Sequence, residues 1–416
     1  MKQIAIFSPN YFPELGACSS RIQYLAERLK KEGNSVTVYT TFPNYPTGTV
    51  FSSYRRFLFR KFIHKENING ITVIRFSFYP SNSSSALVRL FSMVSLALSW
   101  FLAFPFLKRQ QPNIIFVQSP PLLPVLSVWM LSKMISKKGY IPSLILNLSD
   151  LYPRVLLDLD KIKGQTIYNL LLKIEAFLYK KMDFIVGQSE EIINYVQEIV
   201  PHKPIFLYRN GVDTDSFKVK ENYEIEKDKP IKLVYAGLLG VAQGVLEMIK
   251  NVDFEEINAE LHLYGNGNER NQIERFLIEN FKDKKQTVFL YDAIPSKEVA
   301  QKLADYDAAI IIQKKQILGT VPSKIYEAMA AGLPILLLGR GESADIVRKY
   351  STGIVIKTTM NKQTNSTNYE LLPKEIRTLK KMTLKERKAF GENGRRAAQA
   401  VFDKKNQFKN IKKLFE

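Results

Sequence analysis

Apolar residues along this 416-residue chain fall into two alternating patterns: short continuous runs, and longer stretches in which they recur at helical spacing. Short runs bounded by glycine, proline or polar clusters read as buried strands, and the periodic stretches between them as helices. A first series of strands is expected at Ile4 to Phe7, Val36 to Thr41, Ile71 to Phe76, Ile114 to Gln118, Ser143 to Leu148 and Phe184 to Gln188. A helix from Ser19 to Lys31, stopped by Gly33, separates the first two. A second series is expected at Ile231 to Ala236, Leu261 to Tyr264, Thr287 to Leu290, Ala308 to Ile312, Ile335 to Leu338 and Ile354 to Ile356. Strand and helix in strict alternation imply parallel βαβ construction, so the fold class is α/β with two Rossmann-like domains facing across a cleft. In such sheets ligands bind at the carboxyl ends of the strands.

Polar and charged residues replace apolar ones from Tyr208 to Lys229, which marks the boundary. The expected division is 1–207 as an N-terminal acceptor domain, 208–385 as a donor domain, and 386–416 as a helical region returning to the first. Thr358 to Tyr369, rich in Thr and Asn, reads as an exposed loop. Thr383 and Glu386 then form a T-x-x-E capping box that opens a basic C-terminal helical region, read as a solvated face.

One apolar stretch is longer than the rest. Leu90 to Leu107 runs about 18 residues without a charge, between Arg89 and Lys108, at the lower edge of membrane-spanning length. Ser92, Ser95, Ser99 and Ala103 make a small-residue stripe on one side, along which a neighbour can pack. Phe91, Val94, Leu98, Phe101 and Leu102 lie opposite. An interfacial helix, an internal helix and a true span are all compatible with this pattern.

Composition narrows the class. A single cysteine, Cys18, excludes an internal disulfide framework, no Cys/His cluster has zinc spacing, and a reducing cytoplasmic setting is expected. The opening MKQIAIFSPN reads as a strand rather than a signal peptide. A formal net charge of +20 calls for an acidic partner: nucleic acid, anionic lipid or a diphosphate-bearing substrate. Nucleic acid is the weakest of these, because the chain lacks basic and aromatic residues interleaved as in RNA-binding modules.

The richest segment is PSKIYEAMAAGLP, Pro322 to Pro334. Pro322 cannot donate, Ser323 can cap, and Lys324 and Glu327 share one face near the positive end of a helix. A phosphate suits the helix start and Lys324; a sugar diol suits the Glu327 carboxylate. Gly332 stops the helix before a buried strand. Three glycine-bearing loops follow strands in the same way: SPNYFPELGA with Gly16, GLLGVAQG with Gly237, Gly240 and Gly244, and YGNGNE with Gly265. None has the G-x-G-x-x-G spacing, which argues against hydride transfer. The plain alternative is an amphipathic helix and a set of tight turns.

These motifs carry a resemblance across nearly the whole chain: YFPELGA at 11–17, PNYPTG at 43–48, QSPPLL at 118–123, SDLYPR at 149–154, RNGVDTDSF at 209–217, GLLGVAQG at 237–244 and KIYEAMAAGLP at 324–334. The chain resembles the retaining glycosyltransferases of family 4 with the GT-B fold. Within them it resembles the fucosamine-transferase-like group of bacterial O-antigen and capsule synthesis. The resemblance implies that Glu327 holds the nucleotide ribose, that Lys324 lies near the diphosphate, and that the amides around Gly16 meet the donor. It places Asp150 at the cleft beside the reacting sugar, as the catalytic candidate. The donor-binding candidates are Gly16, Arg209, Asn210, Gly237, Leu239, Gln243, Gly265, Gly319, Thr320, Ser323, Lys324 and Glu327.

The chain departs from the wider family at four points. Gly319 stands where the first glutamate of an E-x7-E pair is usual, so amides around Gly319 to Val321 are expected to replace it. Gln243 stands for the usual lysine, and no arginine follows Gly237, which leaves the diphosphate to Lys324, helix termini and Arg209. No histidine lies within Asn147 to Asp150, and His64, His202 and His262 match no motif and are read as structural. D-x-D triplets at Asp158/Asp160, Asp213/Asp215 and Asp305/Asp307 are read as chance, with no metal and no cofactor expected. The implied activity is transfer of a sugar, from a UDP-sugar, to a lipid-linked acceptor at the inner membrane face. A GT-B nucleotide-sugar 2-epimerase and a non-catalytic basic adaptor at membranes or nucleic acid are the alternatives. The epimerase would need acid/base residues that no motif supplies, and the adaptor leaves the strand-end loops unexplained.

Overall fold

The computed structural model describes the chain except for residues 15, 59–61, 84, 159–163, 283, 357–359, 362–365 and 368. Two compact units emerge: Met1–Asn210 together with Gln407–Glu416, and Gly211–Asn406.

The first unit is built on eight strands: β1 (Gln3–Phe7), β2 (Ser35–Thr41), β3 (Ile63–Ile68), β4 (Ile71–Phe76), β5 (Ile114–Ser119), β6 (Ser143–Leu148), β7 (Phe184–Gly187) and β8 (Ile205–Leu207). Their order is β3-β4-β2-β1-β5-β6-β7-β8. All pairs are parallel except the β3–β4 hairpin. Ile4 at the centre pairs with Val36 on one side and Ile114 on the other. Such strands are covered on both faces, which is why their sequences are continuous apolar runs.

Two strands of this sheet were not expected from the pattern. β3 reads IHKENI, whose Lys and Glu are out of place in a buried run but suit a sheet edge, where charge discourages pairing with other chains. β8 is only three residues long. Both lie at sheet margins, where burial imposes little pattern.

Right-handed crossovers sort the helices by the direction the chain takes across the sheet. Moving from β1 to β2 places Ala17–Lys31 on one face, where Ile22, Leu25, Ala26 and Leu29 join the core. Moving the opposite way, from β4 through β7, places Ala86–Trp100, Leu122–Ile135 and Gln165–Lys181 on the other.

The second unit has six parallel strands: β9 (Ile231–Ala236), β10 (Ala259–Tyr264), β11 (Val288–Tyr291), β12 (Ala308–Ile312), β13 (Ile335–Leu338) and β14 (Gly353–Ile356). Their order is β11-β10-β9-β12-β13-β14. Apolar cores fill both faces of this sheet. The helix Ser323–Ala330 links β12 to β13.

The C-terminal region differs from expectation. The capping box at Thr383 and Glu386 is present, but its helix Leu384–Ala397 packs in the second unit, where Arg395 donates to the Ala330 carbonyl at 2.7 Å. Only Gln407–Glu416 belongs with the first unit, because Phe408, Ile411, Leu414 and Phe415 supply apolar surface that the β1 face needs buried. In the segment expected as a loop at 358–369, Met360–Asn361 and Ser366–Thr367 pair as two short antiparallel strands, while most of the rest lies outside the described residues, as do Asp160 and the leucine of YFPELGA.

Candidate active site

In the first unit the expected residues gather at the carboxyl ends of the parallel strands. The loop after β1 reaches Gly16, which opens the helix Ala17–Lys31; a Cβ there would stand 3.5 Å from the Tyr45 ring in the loop after β2. Glu14, buried, ties these two loops together. Its Oε2 accepts from Asn10 Nδ2 and the Tyr11 amide, both at 3.1 Å, and its Oε1 from the amides of Asn44 and Tyr45 at 2.7 and 2.8 Å. Arg75 adds a second tie, donating to the carbonyls of Thr41 and Phe12 and pairing with Glu66.

Asp150 follows β6, half-buried. The next helix begins at Arg154, too far along for Asp150 to cap it. Beneath it lies a buried polar network. Arg21 donates to Ser149 Oγ at 2.5 Å and to the Tyr208 carbonyl at 3.3 Å. Gln118 Nε2 donates to Ser149 Oγ at 2.7 Å, Asn147 Nδ2 donates to Gln118, and Gln188 Nε2 donates to the Ser149 carbonyl. Burial pulls the pKa of Arg21 down, while the electrostatic pull of Cys18, Tyr208 and Asp150 holds it up. An arginine keeps its proton even so, and therefore supplies fixed positive charge behind Asp150.

Arg209 and Asn210 close the first unit. Asn210 Nδ2 donates to Gln188 Oε1 at 2.6 Å, which joins it to the Asp150 network. Arg209 was expected to face diphosphate; its guanidinium instead pairs with Glu190 at 2.9 Å, so a carboxylate already answers its charge.

In the second unit the glycine loops and the Ser323–Ala330 helix converge. A Cβ on Gly237 would stand 2.3 Å from Lys324 Cε and 2.5 Å from Nζ, so the bare glycine makes the channel in which the lysine lies. Its φ of +148° also favours glycine. The Lys324 ammonium sits 5.1 Å from the centre of the Tyr235 ring. Burial pushes the Tyr235 hydroxyl up in pKa, against the pull of that lysine. A Cβ on Gly265 would lie 1.9 Å from the Gly237 carbonyl oxygen, so the two loops are in backbone contact.

Three expectations are corrected in detail. Ser323 does not cap: it is the first helical residue, and its hydroxyl donates to Glu327 Oε1 at 3.1 Å, which orients the carboxylate at the helix start. Leu239 presents no side chain to a donor. It is fully buried in the core, while its amide donates to the Asn266 carbonyl at 2.9 Å and its carbonyl accepts from the Glu269 amide at 3.0 Å, pinning one glycine loop to the other. The Thr320 amide is committed to the Ile317 carbonyl at 3.1 Å, so it is not the replacement donor expected around Gly319.

Gln243, Gln313, Lys315, Thr320, Pro322 and Lys324 line a cavity of about 90 Å³. That is small beside the roughly 300–1,000 Å³ of ligand pockets, and fits a phosphate-sized part of a ligand. Gln313 was not foreseen. It directly follows β12, its Nε2 donates to the Thr320 carbonyl at 3.4 Å, and its Oε1 is buried with no partner among the described residues. Only its place at a strand end could have singled it out; Glu14, in the loop after β1, and Arg21, within the helix Ala17–Lys31, have not even that signal.

The described D-x-D aspartates serve their own neighbourhoods. Asp158 accepts from Arg154, Asp213 from Ser216, Asp215 from Lys405, Asp305 from Lys218 and Asp307 from the Lys232 amide.

Comparison with known proteins fits this geometry. Residues 216–397 match the family described as Glycosyl transferases group 1, which covers the Gly237, Gly265 and Lys324 loops. The chain is 24% identical over 347 residues to the putative colanic acid biosynthesis glycosyl transferase WcaI of Escherichia coli K12, covering 79% of this chain and 81% of that protein. The enzyme is a glycosyltransferase of GT-B fold. Among solved structures, sucrose-phosphate synthase from Thermosynechococcus elongatus superposes on it with a TM-score of 0.73 at 15% identity, covering 100% of this chain and 98% of that one. Anabaena HepE, solved in complex with UDP and glucose, gives 0.65 at 12% identity, covering 100% and 99%. The glycosyltransferase thus shares its fold with proteins of very different sequence.

Proposed function

We propose that the glycosyltransferase moves a sugar from a nucleotide-sugar, a UDP-sugar, to a lipid-linked saccharide in bacterial surface-polysaccharide synthesis, with retention at the anomeric carbon. The observation that carries this is Lys324 lying in the channel left by Gly237, on the same helical turn as the Ser323–Glu327 pair. A cation and a helix N-terminus meet diphosphate charge, and an oriented carboxylate meets the ribose diol. The solved complex of HepE with UDP-glucose and the similarity to WcaI, a putative colanic acid biosynthesis glycosyl transferase, support the donor and the pathway class. This reading also places the chain in family 4, with the fucosamine-transferase-like group.

The chemical burden is electrostatic. The departing diphosphate gains charge, which Lys324 and the helix start stabilise, while the acceptor hydroxyl takes its place on the same face of the sugar. Asp150, backed by Arg21, orients the acceptor or stabilises positive charge on the sugar ring. The reaction needs no metal in this reading, and the protein works in the cytoplasm at the inner face of the cytoplasmic membrane. Purified enzyme is expected to release UDP from its donor with EDTA present. Calorimetric titration with UDP should show Glu327→Ala weakened at least about tenfold. Unchanged UDP affinity in that variant would remove the central assignment, and activity lost to EDTA and restored by Mg²⁺ would overturn the metal-free reading.

A further inference from the structure

The first unit carries an exposed apolar face that the transfer chemistry does not use. The right-handed crossovers place the helices Ala86–Trp100, Leu122–Ile135 and Gln165–Lys181 side by side in one layer. Trp129 and Phe177 meet edge to face at 5.1 Å between the last two. In the first helix the small-residue side turns inward: Ser92, Ser99 and Ala103 are buried. The outer side is apolar, and it continues onto the neighbouring helices. Leu87, Phe91, Leu98, Met134, Ile167 and Leu170 are each between 55% and 78% exposed. Scattered exposed leucines are ordinary, but a layer of adjacent helices exposing them together marks an interaction surface.

Charge selects the occupant. No Asp or Glu occurs anywhere from Asn67 to Ser149, whereas Arg89, Lys108, Arg109 and Lys133 lie on the first two helical segments. In Gln165–Lys181 the only acid is Glu175, buried and hydrogen-bonded to Tyr179 and Tyr195 at 2.7 and 2.9 Å, while Lys180 and Lys181 end the helix. The next helix, Glu190–Ile199, begins with acidic residues and bounds the basic region. An apolar face set among cations, with Asp158 near Tyr168 already paired to Arg154, fits the surface of an anionic bilayer, with side chains entering the acyl boundary and cations meeting lipid phosphate.

We propose that this three-helix layer docks the enzyme on anionic membrane by shallow insertion, so that Leu87–Gln110 lies along the membrane and does not cross it. The proposal rests on the lipid-linked acceptor reading for its purpose and goes beyond it in naming the surface. The same helix adjoins the acceptor loop: the Tyr152 hydroxyl donates to Met93 Sδ at 3.7 Å, two residues after Asp150. A saccharide held by its lipid in the membrane would then be presented at that loop.

The test is co-sedimentation of the full-length protein with vesicles of phosphatidylcholine alone and of phosphatidylcholine mixed with phosphatidylglycerol. Binding to the mixed vesicles is expected, falling with added salt. A Phe91→Asp/Leu98→Asp variant should lose about tenfold or more in vesicle affinity, and Lys180→Glu/Lys181→Glu should lose most of the phosphatidylglycerol dependence. Melting temperatures checked alongside should match the wild type. Wild-type vesicle affinity in both variants would overturn the proposal. So would a wild-type dimer in solution that the aspartate variant dissociates, which would assign the face to a second copy of this chain. UDP release measured without vesicles reads the proposed chemistry independently and is expected to be unchanged in both variants.

Discussion

At the scale of single residues, the donor half of the site rests on close approach. Gly237 has no room for a side chain because Lys324 occupies that space. Gly237→Ala is therefore expected to displace the lysine and raise KM for the donor tenfold or so, while Lys324→Ala lowers kcat as well, since diphosphate charge grows in the transition state. Steady-state kinetics separates the two. In the acceptor half, Glu14 accepts four hydrogen bonds from two loops while buried. Removing it strands three backbone amides, so Glu14→Ala should cost about 2–4 kcal/mol in urea unfolding. Lys324 and Glu327 were legible in the sequence because their shared face at a helix start follows from their spacing alone. Glu14, Arg21 and Gln313 were not, because Arg21 and half of the Glu14 contacts answer residues distant in the chain, and Gln313 sits in an irregular loop that has no repeating pattern.

At the scale of elements, the apolar parallel strands were readable, the edges β11 and β14 included, whereas β3 and β8 were not, because β3 carries the charges of an exposed edge and β8 is only three residues long. Helices carry a second kind of information, the state of their buried polar groups. Glu175 sits inside the layer behind the proposed membrane face, and burial raises its pKa from the usual 4.5 to about 7, partly offset by hydrogen bonds from Tyr179 and Tyr195. The folded chain therefore holds this proton more tightly than the unfolded one. Stability from the protonated acid is fully present below pH 4.5 and is lost as pH rises through 7. Glu175→Gln keeps an acceptor and a donor for the two tyrosines without a charge. It is expected to raise stability by up to about 3 kcal/mol at pH 8 and by little at pH 4, read from thermal melts across pH.

At the scale of the whole molecule, the chain ends in the unit where it began. Gln407–Glu416 contributes Phe408, Ile411, Leu414 and Phe415 to the core beneath β1, and the Phe415 ring lies 6.0 Å from that of Phe116. Phe415→Ala should destabilise the first unit by about 3–5 kcal/mol, seen in calorimetry as a lowered transition while that of the second unit is unmoved.

Alternating apolar runs determined the α/β class, most of the strands, the glycine loops and the helix that begins at Ser323, because each is a property of residues close together in the chain. A helix start or a buried strand carries its signature locally. Tertiary structure alone decided which loops share a site. It set Lys324 against Gly237, turned Arg209 to Glu190, buried Leu239 in the core, and divided the C-terminal region between the two units. It also decided that the long apolar helix buries its serine stripe and exposes its phenylalanine and leucine side. Amphipathic spacing names two faces, and only packing determines which of them meets the protein.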